Sequence, residues 1–228
     1  MNAMREVASN PRTPGRPMGF NVVRVPFFLE PDYPTGEEFE ETNRVRLLRK
    51  WGGQAGWDAQ KRRHGMKERG REVGIDHFNL DRVASNTLAS HRLVQWVTRT
   101  LGINRAEALY NDLNEKHFVG GTKLNDREML VDAAAAAGAD RDAARAVLEG
   151  DEGLEEIRRA QRTLQRLGVS GIPTFILGGE YRMPSGAVHA SALVEAFREL
   201  EAVGGARGSV FAEDLAIPPE VLEEELVL

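Results

Sequence analysis

The chain has 228 residues, enough for one large domain or a domain carrying an insertion, and its 41% hydrophobic and 29% charged residues are a globular balance rather than a disordered one. A net charge of -5 and a pI near 5.7 argue against a nucleic-acid footprint. No run approaches the ~18 apolar residues of a membrane span, so neither nucleic acid nor membrane is expected as a partner.

Residues 1–20 carry Pro11, Pro14 and Pro17 and no apolar stretch of a secretory signal. Closely spaced prolines forbid helix, and the segment reads as a disordered leader. Cytoplasm is the expected compartment, with organelle targeting by this arginine-bearing arm as the alternative. Val22-Val23-Arg24-Val25-Pro26-Phe27-Phe28-Leu29 is β-branched and aromatic and reads as a short strand, with Pro26 at a sheet edge or bulge. Residues 30–36 are a turn-rich connector.

From 37 to 167 the pattern is helical almost throughout. Helices are expected over 37–50, over 57–73 with breaks at Gly65 and Gly70, from an Asn86 cap to Leu101, and over 104–119. Asn125, with Glu128 three residues on, reads as a capping box, and Asp140 as the cap of a short helix to Leu148. The segment 151–167 is the best formed. Its acids crowd the first turns and its arginines the later ones, as the macrodipole favours, and Leu154, Ile157, Leu164 and Leu167 form its apolar stripe. Those arginines, interleaved with acids, read as solvated surface.

The period then changes. Thr174–Leu177 reads as a strand, Gly178-Gly179 as a hairpin turn, Glu180–Met183 as the returning strand, and a helix follows to about Val203. Residues 204–228, glycine-rich and then acidic, read as a loosely packed tail. The fold class is therefore α/β: sheet fragments at 21–36 and 168–203 form one core, interrupted by a helical insertion at 37–167.

The search for chemistry is mostly negative. The absence of cysteine removes disulfides, thiolate nucleophiles and sulfur metal ligands together, so no catalytic nucleophile of that kind is expected. No two of the histidines at 64, 77, 91, 117 and 189 have metal-ligand helical spacing, so no metal and no cofactor is expected, and His91 reads as structural. Gly52-Gly53-Gln54-Ala55-Gly56 follows a helix, lacks a dinucleotide fingerprint and reads as a helix–helix corner. Ile172-Pro173-Thr174 is different. A proline after Gly171 and before a buried strand is a candidate cis peptide, and a trans proline at a strand start is the alternative that local sequence leaves open. The cis turn would expose the backbone amide and carbonyl of Ile172, which could pair with an extended ligand.

The segment Gly168-Val169-Ser170-Gly171-Ile172-Pro173-Thr174-Phe175, with Gly178-Gly179-Glu180-Tyr181 and Ser185-Gly186-Ala187, resembles the C-terminal part of the DsbA-like thioredoxin family. The branch it most resembles is the FrnE-type oxidoreductases, related to 2-hydroxychromene-2-carboxylate isomerases and kappa-class glutathione transferases. Pro26-Phe27-Phe28-Leu29-Glu30-Pro31-Asp32 looks like that family's second strand and its exit. Ser85-Asn86-Thr87-Leu88-Ala89-Ser90-His91-Arg92-Leu93 looks like a helix of its inserted domain. The resemblance spans about residues 22–201. It implies a cis Pro173 and a substrate groove flanked by Ile172, Pro173 and Thr174. It also implies a first strand and a C-x-x-C helix ahead of Val22, neither of which is found in residues 1–21. That strand would be central, between 22–29 and 174–177, so the expectation is a truncated record or a degenerate relative with an incomplete sheet.

Four readings follow: an oxidoreductase whose redox motif is missing from these residues; a non-catalytic relative binding a peptide or small thiol-type ligand beside Pro173; a glutathione-type transferase or isomerase relative; and a helical domain with no ligand, which requires a trans bond at 172–173. As written, the chain is expected to be redox-inactive. Its sequence does not set an oligomeric state.

Overall fold

The computed structural model describes residues 1–228 apart from Val73, Glu180, Pro184, Ala206 and Arg207, and gives the backbone but not the side chains of His64, Met66, Lys67, Arg69, Tyr181 and Arg182. The chain divides into two compact units. One comprises Met1–Leu29, Gln95–Ala106 and Gly150–Leu228, and the other Glu30–Val94 and Glu107–Glu149.

The second unit is helical around one small antiparallel ladder, β1 (Glu41–Thr42) with β2 (Val83–Ala84), in the register Glu41↔Ala84 and Thr42↔Val83. Thr42 closes that strand and opens α2 (Asn43–Lys50), its hydroxyl accepting the Val45 N–H at 3.3 Å. Gly52 and Gly53, both at positive φ (69° and 99°), turn the chain into α3 (Gln54–His64). A left-handed Gly65 ends α3 before α4 (Met66–Glu72). The Oδ1 of Asn86 accepts the Leu88 N–H at 2.8 Å and starts α5 (Leu88–Leu101), followed by α6 (Ile103–Glu115) and a π-helical turn, Lys116–Gly120. α7 (Arg127–Ala136) and α8 (Arg141–Glu149) pack on each other and bury Leu130, Val131, Ala134, Val147 and Leu148. Asp126, not Asn125, caps α7: its carboxylate accepts the Met129 N–H, whereas the buried Asn125 amide donates to the Gly36 and Phe39 carbonyls. A carboxylate is the stronger acceptor for an orphan N–H, which leaves the neighbouring amide free to tie down the loop.

The first unit contains α1 (Asn2–Ser9), α9 (Leu154–Arg166), the hairpin β3 (Ile176–Leu177) and β4 (Tyr181–Arg182), α10 (Ala190–Ala202) and α11 (Pro219–Leu222). Its apolar side chains form two clusters. Ile103, Ala160, Leu164, Phe211, Leu215, Ile217, Val221 and Leu226 form the larger, against which Val22, Val23, Val25, Phe27 and Ile176 pack. Ala3, Val7, Phe20 and Phe197 form the smaller, with Leu177 and Leu193 against it. Successive strand residues face opposite sides, so Ile176 and Leu177 send β3's two faces into different clusters.

Four expectations from sequence are corrected here. Residues 1–20 are not a disordered leader. α1 ends at Ser9, before the prolines act, and its Ala3 and Val7, one helical turn apart, are buried against α10, while Phe20 meets Phe197 edge to face at 4.9 Å. Residues 204–228 are not a loose acidic tail, because Phe211, Leu215, Ile217, Val221 and Leu226 are buried. The 37–167 boundary for the insertion is likewise redrawn: 30–36 belong to the helical unit, while 95–106 and α9 join the first unit through Ile103, Ala160 and Leu164. Finally, Val22–Leu29 forms no strand. Its side chains pack as a strand's would, but glutamine side chains take its carbonyls, Gln95 Nε2 on Arg24 O (2.5 Å) and Gln161 Nε2 on Pro26 O (2.6 Å). β-Propensity reflects side-chain fit to a packed surface, and it produces no ladder without a neighbouring strand.

Candidate functional site

The loop that carries Pro173 begins at the end of α9. Gly168, at φ 64°, lets the chain reverse: its N–H donates to Gln165 O and the Val169 N–H to Leu164 O, both at 2.9 Å, closing the helix on its own carbonyls. The loop then runs out through Gly171, where an added Cβ would meet nothing within 4 Å, to a cis peptide between Ile172 and Pro173. Ile172 is 51% exposed, an unusual place for an isoleucine. Thr174 is half-buried, its hydroxyl lying 2.7 Å from both the Gly171 carbonyl, to which it donates, and the Ser185 Oγ. Gly186 completes the clamp, donating its N–H to the Pro173 carbonyl at 2.8 Å.

Hydrogen bonding alternates along the segment. Pro173 O accepts from Gly186 and Phe175 O from Met183 (2.9 Å), and the ladder continues in the register Leu177↔Tyr181. In an antiparallel pair, successive residues turn their N–H and C=O to opposite sides. The residues between, Thr174 and Ile176, therefore present their backbone groups away from β4, with Ile172 just ahead of them across the cis bond, and among the described residues nothing pairs with the backbone of these three. Among the described residues β4 is β3's sole ladder neighbour. The three residues expected to flank a substrate groove thus lie together at the start of an open sheet edge. Sequence reasoning missed Ser185 as a member of this site. The signal was present in the Ser185-Gly186 pair, but only the folded hairpin places it on Thr174.

The chemistry available here is limited. Of the two hydroxyls, neither has a base among its described partners, and His189 is engaged at the start of α10, its Nδ1 2.8 Å from Ser191 Oγ. The 228 residues contain no thiol. Among the described residues no three of His, Asp and Glu gather into a metal-sized group. What remains is a row of backbone donors and acceptors beside an exposed apolar side chain.

A second concentration of charge lies in the helical unit. The Tyr33 hydroxyl donates to Glu41 and accepts from Arg49 Nη2 at 3.1 Å, while Arg46 meets Glu30 at 2.7 Å. Burial and the Glu41 carboxylate push the Tyr33 phenol up to about 12, and the Arg49 guanidinium holds Glu41 below the usual carboxylate range. Asn86 Nδ2 grips the Tyr33 carbonyl at 2.6 Å. Every group in this network is satisfied internally, so it reads as the structural anchor of the 30–49 segment.

No curated protein matches the chain. The crystal structure of the probable DsbA oxidoreductase SCO1869 from Streptomyces coelicolor superposes with a TM-score of 0.64 at 27% identity, over 76% of this chain and 72% of that one. Among the described residues no helix is long and apolar enough to cross a membrane. The DSBA-like thioredoxin domain matches residues 18–198, from the segment before Val22 to the middle of α10, and the chain belongs to that family, with an α/β thioredoxin-like fold whose sheet is incomplete and which carries a large helical insertion.

Proposed function

We propose that the chain is a FrnE-type member of its family that binds an extended peptide along the open edge of β3 beside Pro173 and does not itself exchange disulfides. The observation that carries the reading is the alternation at 173–177, which leaves the backbone groups of Thr174 and Ile176 facing away from the hairpin partner, beside the exposed Ile172, while Pro173 and Phe175 are tied to that partner. An edge of this kind pairs main chain to main chain, and exposed side chains such as Ile172 set preference. Thiol–disulfide exchange requires a sulfur to attack or be attacked, and these 228 residues supply none. The glutathione-type transferase or isomerase reading has less support, because the Thr174 and Ser185 hydroxyls bond each other with no base beside them to activate either.

The test is a titration of the isotope-labelled chain with a capped heptapeptide of alternating threonine and valine, followed by amide shifts. Saturable shifts confined to Ile172, Thr174, Ile176 and their neighbours are expected. Methylating alternate peptide nitrogens, which removes the donors facing β3, is expected to weaken binding at least ~tenfold, or about 1.4 kcal/mol. Saturation elsewhere, or no loss on methylation, defeats the proposal. Turnover in an insulin-reduction assay by the purified chain defeats the redox half of it.

A further inference from the structure

We propose that the cleft lined by α9 and Asp214 is a binding site for a small phosphate ester carrying hydroxyl groups, held by Arg159, Arg162 and Arg166. The cleft has a volume of about 490 Å³ and is lined by Arg159, Arg162, Gln165, Arg166 and Asp214. That size falls within the range of small-molecule sites. Positions 159, 162 and 166 are spaced i, i+3, i+7 and share one face of the helix over about 10 Å.

The charges on this face do not balance. Glu155 is shared between Arg158 (3.7 Å) and Arg162 (3.0 Å), and Glu156 meets Arg159 at 3.5 Å. Arg166 pairs with no carboxylate among the described residues; its Nη2 donates instead to the buried Thr163 hydroxyl at 2.6 Å. Like charges three and four residues apart repel, and the negative end of α9 offsets that repulsion among its last arginines only in part. An anion seated there relieves that repulsion.

The guanidinium groups are also positioned in advance. Arg159 Nε donates to the Asp214 carbonyl at 3.2 Å, Arg162 is held by Glu155 and Arg166 by Thr163, each leaving further N–H groups unspent. The planar fork of arginine matches phosphate oxygens, and less ordering is needed when the side chain is already held. Gln165 and the Asp214 carboxylate, which enters no ion pair among the described residues, add a donor and acceptors suited to hydroxyls. A carboxylate in the wall selects against a bare or polymeric anion, and the chain's net charge of -5 works in the same direction. Three of the four α9 arginines that sequence alone assigns to solvated surface thus line one cleft, and this site is independent of the Pro173 edge.

Isothermal titration of the full chain at low salt with ribose 5-phosphate, inorganic phosphate and ribose tests the proposal. Ribose 5-phosphate is expected to bind saturably with a Kd of ~1 mM or tighter, inorganic phosphate at least ~tenfold more weakly, and ribose not detectably. The Arg162→Gln/Arg166→Gln double variant, with unchanged circular dichroism, is expected to lose at least ~tenfold in affinity for ribose 5-phosphate, and Asp214→Asn, which removes the negative charge beside the anion, to strengthen inorganic phosphate binding and so narrow the preference for the ester. Equal binding by wild type and double variant, or no saturation by ribose 5-phosphate, overturns the site. Inorganic phosphate binding as tightly as the ester overturns its hydroxyl-reading part. Tight binding of a duplex oligonucleotide alone, steeply weakened by salt, overturns it in favour of a general polyanion face.

Discussion

Glu224 reaches from the C-terminal segment to the first turn of α6, and its removal is a direct test of whether that segment is structural. One carboxylate oxygen accepts the Ile103 N–H at 2.8 Å; the other accepts the Asn104 N–H at 3.3 Å and the Asn104 side-chain amide at 2.6 Å. The first four N–H groups of a helix have no acceptor within it. The residue ahead is Gly102, at φ 87°, which has no side chain to cap with, so a distant carboxylate does what an adjacent serine or aspartate ordinarily would. Losing a side-chain cap costs ~1–2 kcal/mol, and the negative charge at the positive end of the helix contributes a further ~0.3–1 kcal/mol. Glu224→Ala is therefore expected to destabilise the first unit by about 2 kcal/mol. Glu224→Gln keeps an acceptor and is expected to cost about half as much. Urea unfolding followed by far-UV circular dichroism reads this as a midpoint lowered by roughly 0.7–1 M for a slope of ~2–3 kcal/mol/M. A loss below ~0.3 kcal/mol on Glu224→Ala, or a glutamine variant as unstable as the alanine one, would refute the reasoning.

Leu215→Ala removes a side chain with 0% exposure and is expected to cost ~2–5 kcal/mol; a change near zero in the same urea titration means that the C-terminal segment does not pack. His117 is half-buried in the helical unit with Nδ1 on the Thr122 carbonyl at 2.9 Å, and its partial desolvation, opposed by that hydrogen bond and reinforced by Arg82 and Arg46, holds its pKa below the ordinary value. The folded state thus resists protonation. Stability contributed by the neutral ring is present above ~6.5 and falls as pH drops through that unfolded value, so unfolding midpoints between about pH 5 and 7.5 should decline on acidification and flatten in His117→Asn. An unchanged slope in the variant overturns this assignment. In a tyrosinate titration at 295 nm, one of the three tyrosines is expected to ionise near about 12 and to vanish from the curve in Tyr33→Phe. Three transitions near the ordinary ~10 would contradict the Glu41 hydrogen bond.

What the sequence made legible was local, and what it concealed was tertiary. α5 and α9 announce themselves through apolar periodicity and end chemistry, and the β3–β4 turn through Gly178-Gly179, because these signals lie within a few residues of the structure they produce. Val22–Leu29 carries a strand's composition yet has no ladder, since pairing depends on a neighbour that no local pattern can guarantee. α1 and the C-terminal segment were hidden by prolines, glycines and acids close by. Their buried residues, Val7 and Phe20 in one, Leu215 and Leu226 in the other, are sparse, and partners far along the chain give them meaning. At the candidate site, Ile172, Pro173 and Thr174 were readable as a group. The open edge and the Ser185 contact were not, because both depend on which way the hairpin folds back.

The interleaving of the two units imposes an order on synthesis. The helical unit lies wholly within residues 30–149, so every one of its contacts can form before the chain is finished. The other unit has to wait. Val7 and Phe20 emerge first but meet Phe197 only near the end, and the amide of Ile103 stays unsatisfied until Glu224, 121 residues later, is free to reach it. Until then the nascent chain exposes the apolar face of α1 and Phe20, a surface of the kind that chaperones hold and that aggregates when it is not held.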